Sequence, residues 1–382
     1  MATRTIGIAL DGATGRLGTT QHLRALTTIR GEGGLPLADG DRLVPEPVLI
    51  GRNAERLAAL AAREGGLKWG TDRDAALADP AIAIYFDATA TGGRAARVTA
   101  ALAAGKHVYV EKPLAENLAE ALDLARRAAR AGRKSGIVQD KLALPGLGKL
   151  KKLYDSGFFG RIVGVRLDFG WWVFDGDFHP AQRPSWNYQR AEGGGLVLDM
   201  FAHWRYIFDR LLGEIRAVSC RVATAIPSRR DERGERYRVD VEDTALAQFE
   251  LANGVVAQIS ASWASRVRRD DLLQIQVDGT LGSAVAGLHR CFIQPLATTP
   301  RPFFDPERPQ PMVFAAQWQE MPDLEPVQNG YRLGWEQFLR HVAEGAPFPA
   351  PFLEGAKSVQ LAEACHRSDR ERRWVDLEPL NL

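Results

Sequence analysis

The stretch that decides the fold is residues 5–18, TIGIALDGATGRLG. Its first half is an apolar run that predicts a short strand, and residues 19–29 have the spacing of a helix. Gly12, Gly15 and Gly18 lie between the two in G-x-x-G-x-x-G spacing, one residue away from the commoner G-x-G-x-x-G pattern. Such a turn lets backbone N–H groups approach a pyrophosphate at the positive end of the helix. The alternative is a tight turn that holds no ligand.

The rest of the N-terminal third repeats this alternation of strand and helix. Further strands are expected at 48–50, 82–87, 107–110 and 136–138, and further helices at 54–63 and 116–131. The alternation is typical of a parallel sheet covered by helices on both faces. The uniformly apolar segment before Asp87 indicates a strand buried on both faces. We therefore predict an α/β, doubly wound nucleotide-binding domain over residues 1–138.

After residue 138 the pattern changes, because strand-like segments follow one another with few helices between them. The expected strands are 162–172, 215–226, 244–251, 255–263 and 272–277. Several of them alternate apolar and polar side chains, as in a half-buried antiparallel sheet, and the pair Asn253-Gly254 indicates a hairpin. We predict an α+β domain over residues 139–382 with an open, mainly antiparallel sheet. Helices at 195–212, 331–344 and 353–370 are expected to cover one face of that sheet.

Composition narrows the class of protein. The chain has 382 residues, 45% of them hydrophobic, and a net charge of only +2, which gives no sign of a nucleic-acid or membrane surface. Its apolar stretches, such as 82–90, are far shorter than the roughly 20 residues of a membrane span. Cys220, Cys291 and Cys365 are widely spaced, which favours reduced thiols over a disulfide or metal site. We expect a cytoplasmic enzyme without a bound metal.

The glycine turn and the end of the second strand are the predicted cofactor contacts. The residues expected around the pyrophosphate are Gly12, Thr14, Gly15, Arg16 and Leu17. At the second strand end, an acidic residue would hold the ribose hydroxyls of NAD, but the chain has Gly51-Arg52-Asn53 there. Arg52 can instead pair with a 2′-phosphate, so the sequence favours NADP. Alternatively, Arg52 is solvated and Asn53 caps the next helix, which leaves NAD acceptable.

A positioned cation is expected at the end of the strand 107–110. Lys112 follows this strand in the segment Glu111-Lys112-Pro113, at the edge where open α/β sheets bind their ligands. Its ammonium could hydrogen-bond a substrate oxygen and stabilise alkoxide character as a hydride leaves the carbon. We place Glu111 at the cofactor. The alternative is a strand-end lysine paired with Glu111.

A carboxylate and an imidazole complete the expected reacting groups. Asp199 and His203 are four residues apart, so they share one face of a helix that follows the glycines 193–195. We expect His203 to be the general base in oxidation and the general acid in reduction, while Asp199 binds substrate or tunes the histidine. The glycines would permit close approach of a ligand. The alternative is a structural hydrogen bond between the two side chains.

Together these motifs resemble those of the Gfo/Idh/MocA family, which includes glucose–fructose oxidoreductase and inositol dehydrogenase. The resemblance rests on residues 12–18, the Glu111-Lys112-Pro113 segment, and the glycines that lead to Asp199 and His203. It extends to residues 153–165 and to the final helix, and so covers nearly the whole chain.

The resemblance implies a Rossmann domain followed by an open-faced sheet, an NAD(P)(H) cofactor, and a homodimer or homotetramer formed through that sheet. It also implies a sugar, cyclitol or related polyol as substrate, with Lys112 and His203 closest to the chemistry. Two departures are the glycine spacing and Gln139-Asp140-Lys141, which stands where many relatives have an Asn-Arg-rich turn.

Residues around the predicted catalytic helix suggest how a substrate is held. The predicted substrate contacts are Gln139, Lys141, Trp172, Arg183, Trp186, Arg190 and Asp199, together with Lys112. Flat indole faces suit the C–H surface of a sugar ring, although indoles are equally common in cores. Arg183 and Arg190 could hold an anionic group, and His179 could line the mouth of the site.

Three functions use these residues differently. The first is reversible oxidation of a secondary alcohol on a sugar-like molecule by NAD(P). The second is a redox-assisted glycosidase, in which transient oxidation permits elimination of the aglycone from an anionic glycoside such as a sulfoquinovoside. The third is a cofactor sensor without catalysis, and the presence of Lys112, Asp199 and His203 together argues against it.

Overall fold

The computed structural model describes residues 2–173, 183–323 and 329–382, so His179 lies outside the described part of the chain. The first sheet has seven strands, with the order β2-β3-β1-β5-β6-β7 and with β4 beside β3. These strands are β1 (Thr3–Asp11), β2 (Leu35–Pro36), β3 (Arg42–Ile50), β4 (Lys68–Gly70), β5 (Ile82–Asp87), β6 (His107–Val110) and β7 (Ser135–Ile137). All pairs except β2 with β3 are parallel.

Helices follow most strands of this sheet, as the sequence predicts. They are a π-helical segment (Gly18–Leu23) leading into α1 (Arg24–Gly31), α2 (Ala54–Arg63), α3 (Arg73–Ala78), α4 (Arg94–Ala103) and α5 (Leu118–Arg130). The chain leaves β1 in one direction and returns to build β5 on the other side of it. The switch point of this doubly wound sheet therefore lies between β1 and β5, where such folds bind their ligands.

Two glycines shape the turn after β1. Gly12 has a φ of +82°, and a Cβ there would lie 2.8 Å from the carbonyl carbon of Ala88. A Cβ at Gly18 would lie 2.3 Å from the carbonyl oxygen of Gly12. Side chains at these two positions would push the helix away from the strand, so the glycines are required by the turn itself. Gly15 is exposed, and a Cβ there would meet only the Gly12 oxygen, at 3.1 Å.

The second sheet has nine strands in the order β17-β16-β15-β14-β8-β13-β12-β9-β18, and only β8 with β13 is parallel. These strands are β8 (Ile162–Gly170), β9 (Ile215–Ala223), β12 (Thr244–Leu251), β13 (Val256–Ser262), β14 (Leu273–Gly279), β15 (Gly282–Ala286), β16 (Cys291–Pro295), β17 (Gln319–Glu320) and β18 (Val375–Asp376). Two short strands, β10 (Ser228–Arg230) and β11 (Arg236–Arg238), form a separate ribbon. The fold is thus the predicted Rossmann domain with an α+β domain of mainly antiparallel sheet.

Four more helices complete the described chain: α6 (Pro145–Asp155), α7 (Leu196–Leu211), α8 (Gly330–Glu344) and α9 (Phe352–Glu371). Helix α7 packs in the core of the second sheet, as expected. Helix α8 does not, and the expectation for residues 331–344 is wrong. Its buried residues Trp335, Phe338 and Leu339 belong to the core of the first sheet. The apolar stripe of a helix identifies a buried face, but it does not identify the partner.

Helix α9 joins the two sheets. Phe352, Ala356 and Val359 belong to the core on the first sheet, whereas Leu361 and Cys365 belong to the core of the second. Cys220, Cys291 and Cys365 are all buried and none forms a disulfide. In the described part of the chain, none of the helices has the length and apolar character to cross a bilayer.

Candidate active site

Lys112 and Asp199 meet between the two sheets. The Lys112 Nζ donates to Asp199 Oδ1 at 2.5 Å and to the Asp199 backbone oxygen at 3.2 Å. Arg183 donates to the other carboxylate oxygen of Asp199 at 2.6 Å. The structure therefore brings two of the predicted reacting groups together and adds Arg183 to them.

Lys112 reaches Asp199 because it follows the carboxyl end of a strand of the first sheet. The carboxyl ends of β1, β3, β5 and β6 lie level, since Asp11 pairs with Ile50 and Asp87, and Asp87 pairs with Val110. Lys112 leaves this edge, and the bond between Lys112 and Pro113 is cis.

The glycines before α7 have a different role from the one expected. A Cβ at Gly193 would lie 2.8 Å from Thr91 of the first domain, and one at Gly194 would lie 2.6 Å from the Trp186 oxygen. Gly195 has a φ of +122°, and its Cβ would lie 2.8 Å from the Glu242 carboxylate. At each of the three glycines, the space that a Cβ would need is occupied by another part of the protein and not left open for a ligand. They let the N-terminal end of α7, and Asp199 with it, approach the Rossmann domain closely.

Asp199 is a half-buried carboxylate between two cations. Burial raises its pKa, but the Lys112 ammonium and the Arg183 guanidinium outweigh that effect and hold the pKa of Asp199 well below its usual range. Asp199 is therefore ionised over the working pH range. Its two side-chain oxygens are occupied by Lys112 and Arg183, and the described contacts include no hydrogen bond from Asp199 to His203. The alternative of a structural hydrogen bond between Asp199 and His203 is thus not seen among the described contacts, whereas the charge of Asp199 does raise the pKa of His203, as a residue that tunes the histidine would.

His203 is 4% exposed, and its Nδ1 is buried without a partner among the described residues. Burial lowers the pKa of His203 well below its ordinary value, and the positive charges of Lys141 and Lys112 lower it further. Asp140 and Asp199 oppose this shift but do not cancel it. A neutral imidazole can accept a proton, as a general base requires.

The turn after β7 supplies a second ion pair beside His203. Lys141 Nζ donates to the Asp140 carboxylate at 2.8 and 3.0 Å. Burial raises the pKa of Asp140, but Lys141 outweighs it and the pKa falls to about 2. The adjacent Gln139 has a buried Oε1 without a partner in the described part of the protein. Asp140 was not among the predicted site residues, although a charged residue in the turn after a buried strand is a recognisable signal.

The predicted arginines have different surroundings. Arg183 also donates to Asn187 at 2.7 Å, and its guanidinium carbon lies 4.0 Å from the ring centre of Trp263. Arg190 is exposed and directed at Asp240, to which its backbone N–H and its side chain donate at 2.7 and 3.1 Å. Arg183 thus lies in the site, while the described contacts of Arg190 are with Asp240.

The predicted tryptophans lie at the periphery of these contacts. Trp172 is half-buried, with the guanidinium carbon of Arg266 3.7 Å from its ring centre. Trp186 is half-buried in the short helical turn Ser185–Tyr188. The described contacts do not join either ring to Lys112, so a role for them in substrate binding stays a prediction.

The turn that is predicted to hold the pyrophosphate presents the predicted residues and one residue outside the predicted set. Gly15 and Arg16 form the exposed surface of the turn, and Thr14 and Leu17 are half-buried beside them. Arg56, which was not predicted, donates to the Thr14 oxygen at 3.3 Å.

The end of β3 carries the features that bear on the 2′-position of the cofactor. The Asn53 side chain accepts from the Arg56 backbone N–H at 2.9 Å and so caps α2, as the alternative interpretation proposed. Arg52 is exposed.

Glu111 has partners inside the protein rather than at the exposed turn. It is 4% exposed, and its Oε1 lies 2.8 Å from Nε2 of the fully buried His22. Its other oxygen accepts the backbone N–H of Lys112 at 3.2 Å. A pair between its carboxylate and the Lys112 ammonium is not among the described contacts, and the cofactor contact expected of Glu111 stays a prediction.

Comparison with known proteins agrees with the fold. A sequence model described as an oxidoreductase family with an NAD-binding Rossmann fold matches residues 6–138, and one for the GFO/IDH/MocA C-terminal domain matches residues 147–285. D-xylose dehydrogenase of Paenarthrobacter nicotinovorans is 46% identical, over 100% of this chain and 99% of that protein. Levoglucosan dehydrogenase of Pseudarthrobacter phenanthrenivorans is 26% identical, over 88% of this chain and 91% of that protein.

Solved structures share the architecture. Levoglucosan dehydrogenase in complex with NADH and levoglucosan superposes with a TM-score of 0.81 at 22% identity, over 98% of this chain and 99% of that one. At this identity the likeness shows the fold. Together with the sequence matches, it confirms the resemblance: the chain belongs to the Gfo/Idh/MocA family of oxidoreductases, and its first domain is a Rossmann domain that binds a nicotinamide cofactor.

Proposed function

We propose that this member of the Gfo/Idh/MocA family is an NAD(P)-dependent dehydrogenase that oxidises a hydroxyl group of a sugar or cyclitol, with an aldose such as D-xylose as the first candidate. The observation that carries the proposal is the convergence of Lys112 and Asp199, with His203 beside them, at the carboxyl edge of the first sheet. The 46% identity to a D-xylose dehydrogenase over the whole chain supports the substrate class.

Lys112, His203 and Asp199 have separate roles in the proposed proton transfer. The Lys112 ammonium has three N–H groups and gives two of them to Asp199, so one is left to donate to the substrate oxygen. Neutral His203 accepts the hydroxyl proton during oxidation and returns it during reduction. Asp199 stays ionised and keeps Lys112 in place. The bound nicotinamide supplies the hydride acceptor, and the protein supplies orientation and proton transfer.

The redox-assisted glycosidase has less support. Its anionic-substrate version used Arg183 and Arg190 as the anion-binding pair, but Arg183 is hydrogen-bonded to Asp199 and Arg190 is directed at Asp240. The named relatives that align over most of the chain are dehydrogenases. A dehydrogenase with a neutral polyol substrate fits both observations.

For the cofactor we propose NADP, with NAD also accepted. Gly51 and Arg52 follow the end of β3, and Arg56 lies in the first turn of the next helix, so two guanidinium groups near this strand end support a 2′-phosphate on the cofactor. An acidic residue that would select NAD is absent from Gly51-Arg52-Asn53. Arg52→Ala is expected to lower kcat/KM with NADP several-fold and to leave kcat/KM with NAD unchanged.

We also propose a homodimer or homotetramer formed through the outer face of the second sheet. Leu246 and Val256 are exposed there on neighbouring strands, at 58% and 46%. Light scattering coupled to gel filtration tests this directly, since a monomer at assay concentration would contradict it. The three unbridged cysteines agree with action in the cytoplasm, where we place the enzyme.

The test of the proposed function is a substrate panel. Purified protein is incubated with D-xylose, other aldoses, inositols, levoglucosan and aryl glycosides, each with NAD and with NADP. Absorbance of the reduced nicotinamide and release of the aglycone are followed together. Cofactor reduction without cleavage supports the dehydrogenase. Aglycone release without net reduction would replace it with the glycosidase.

A further inference from the structure

A buried chain of hydrogen bonds runs beneath Lys112 on the side away from Asp199. Trp335 Nε1 donates to His22 Nδ1 at 3.1 Å, and His22 Nε2 lies 2.8 Å from Glu111 Oε1. Glu111 Oε2 then accepts the backbone N–H of Lys112 at 3.2 Å. His22 and Trp335 are fully buried. Three segments far apart in sequence thus meet directly behind the proposed catalytic lysine.

The direction of these hydrogen bonds follows from the donors. An indole N–H can only donate, so His22 Nδ1 must be the unprotonated ring nitrogen. Nε2 therefore carries the hydrogen and donates it to Glu111. Trp335 fixes the tautomer of His22, and His22 in turn occupies one oxygen of the Glu111 carboxylate.

Aromatic packing holds the imidazole in this orientation. The ring centre of His22 lies 4.2 Å from that of Phe86 on β5 and 5.1 Å from that of Tyr331 on α8. His22 itself belongs to the π-helical segment that begins at Gly18, the last glycine of the nucleotide turn. The hydrogen-bonded chain therefore links the segment after the nucleotide turn, helix α8 and the strand end that carries Lys112.

We propose that His22 is a positioning residue for Lys112 and acts through Glu111, with Trp335 fixing its tautomer. Two carboxylates, Glu111 and Asp199, lie within reach of the segment that carries the Lys112 ammonium. Because His22 and the Lys112 backbone N–H occupy Glu111, the ammonium is left to Asp199 and the substrate side. This inference rests on the catalytic role proposed for Lys112.

The test uses His22→Phe, which keeps an aromatic ring but removes both hydrogen bonds. We expect kcat to fall about tenfold or more, because a small displacement of a reacting group is costly, while the Kd of the reduced nucleotide changes less than about twofold. Exchange of the Lys112 amide hydrogen, measured without cofactor, is expected to become faster. His22→Gln can donate to Glu111 and accept from Trp335, so it is expected to restore most of kcat.

A matched control separates positioning from loss of packing. Phe338→Leu is also on α8 and removes contacts with the Tyr109 ring, which is stacked at 4.7 Å, without touching the hydrogen-bonded chain. It is expected to lower the melting temperature and to leave kcat and Lys112 amide exchange unchanged. A folded His22→Phe protein with wild-type kcat or wild-type exchange at Lys112 would overturn the proposal.

Further variants keep the result decisive. Should His22→Phe fail to fold, Glu111→Gln and Trp335→Phe each remove one bond of the chain, and normal kcat in both would also reject the proposal. Lys112→Met distinguishes this failure from failure of the proposed function. If Lys112→Met retains turnover, the proposed role of the lysine is wrong. If Lys112→Met abolishes turnover while the folded His22 and Glu111 variants are normal, only the positioning is wrong.

Discussion

The two sides of Lys112 are built differently. On the nucleotide side, several buried polar groups have partners in the protein: Glu111 and Trp335 bind His22, and Asp11 accepts from Tyr85 at 2.7 Å. One buried atom there, Arg94 Nε, has no hydrogen-bond partner among the described residues. On the substrate side, the buried atoms Gln139 Oε1, Arg183 Nε and His203 Nδ1 have no partner within the described ranges.

An unpaired buried polar atom costs about 1–3 kcal/mol, so native proteins leave few of them without reason. The three unpaired atoms cluster around the proposed reacting groups, which favours a substrate side that binds a ligand with hydroxyl donors and acceptors. A sugar or cyclitol has both around its ring.

The largest effect is expected where the two sides meet. Lys112→Met removes the ammonium that would stabilise alkoxide character, and we expect kcat to fall by about 1000-fold. Steady-state kinetics with the best substrate of the panel measures the effect, and nucleotide Kd is expected to be nearly unchanged.

Lys141→Met is the matched control for the lysine. Lys141 is held by Asp140 rather than by Asp199, so a much smaller loss is expected there. Equal losses in the two variants would show that the site needs positive charge in general and not a lysine at position 112.

The next largest effect tests the base on the substrate side. His203→Ala is expected to lower kcat by about 100-fold with nucleotide binding intact. Because burial lowers the pKa of His203, the acid limb of the wild-type kcat/KM profile should lie below the pH at which an exposed histidine titrates.

The neighbours of His203 should move that limb in opposite directions. Lys141 lowers the pKa of His203, so Lys141→Met should raise the pH of the acid limb. Asp140 raises that pKa, so Asp140→Asn should lower the pH of the limb. A limb that stays in place in both variants would assign the proton transfer to another group.

Much of the nucleotide side could be predicted from sequence because its signals are local. Helix α2 (Ala54–Arg63) and strand β6 (His107–Val110) have the predicted bounds. Strand β3 was predicted only at its end, because Pro45 and Pro47 argue against a strand. Both prolines lie between the residues of β3 that pair with β2 and with β4, so no strand covers that edge and their missing N–H groups are tolerated.

The parts that could not be predicted depend on contacts between distant segments. His22 and Glu111 are 89 positions apart, and Trp335 is 313 positions from His22, so no spacing rule relates them. Lys112, Asp199 and His203 were predicted to be the reacting groups, but the hydrogen bonds between these residues and their neighbours were not predicted. The i, i+4 spacing suggested that Asp199 binds His203, whereas two distant cations bind Asp199 more strongly than its own helix neighbour can.

Substitutions at Gly12 and Gly15 test which glycine of the turn is needed for folding and which is needed for nucleotide binding. Gly12 has positive φ and close backbone neighbours, so Gly12→Ala is expected to cost about 1–3 kcal/mol or more in the free energy of unfolding. Gly15 is exposed and does not have a positive φ, and a Cβ there would meet only the Gly12 oxygen, in a tight contact at 3.1 Å. Gly15→Ala is therefore expected to cost less stability than Gly12→Ala and to raise nucleotide Kd about five- to tenfold. Denaturant unfolding and fluorescence titration separate the two effects, and an equal stability loss in both variants would contradict the assignment.

The smallest effects are expected at Arg183 and Arg190, the two arginines that were predicted to hold an anionic group. Arg183→Met removes a partner of Asp199 and is expected to lower kcat/KM about tenfold, because a charge-assisted hydrogen bond is worth roughly 1.5–3 kcal/mol and the Lys112 pair remains. Arg190→Ala is expected to change kcat/KM less than about twofold, since the side chain is exposed and bound to the Asp240 backbone.

The two kinetic constants distinguish what Arg183 does. If it only holds Asp199, kcat falls and KM stays constant for every sugar in the panel. If its free Nε also binds substrate, KM rises most for the sugars that carry a hydroxyl at the matching ring position. A loss in Arg190→Ala as large as that in Arg183→Met would mean that the substrate-binding surface extends to the loop at Asp240, and the contrast between a paired and an unpaired side of Lys112 would then no longer mark where the substrate lies.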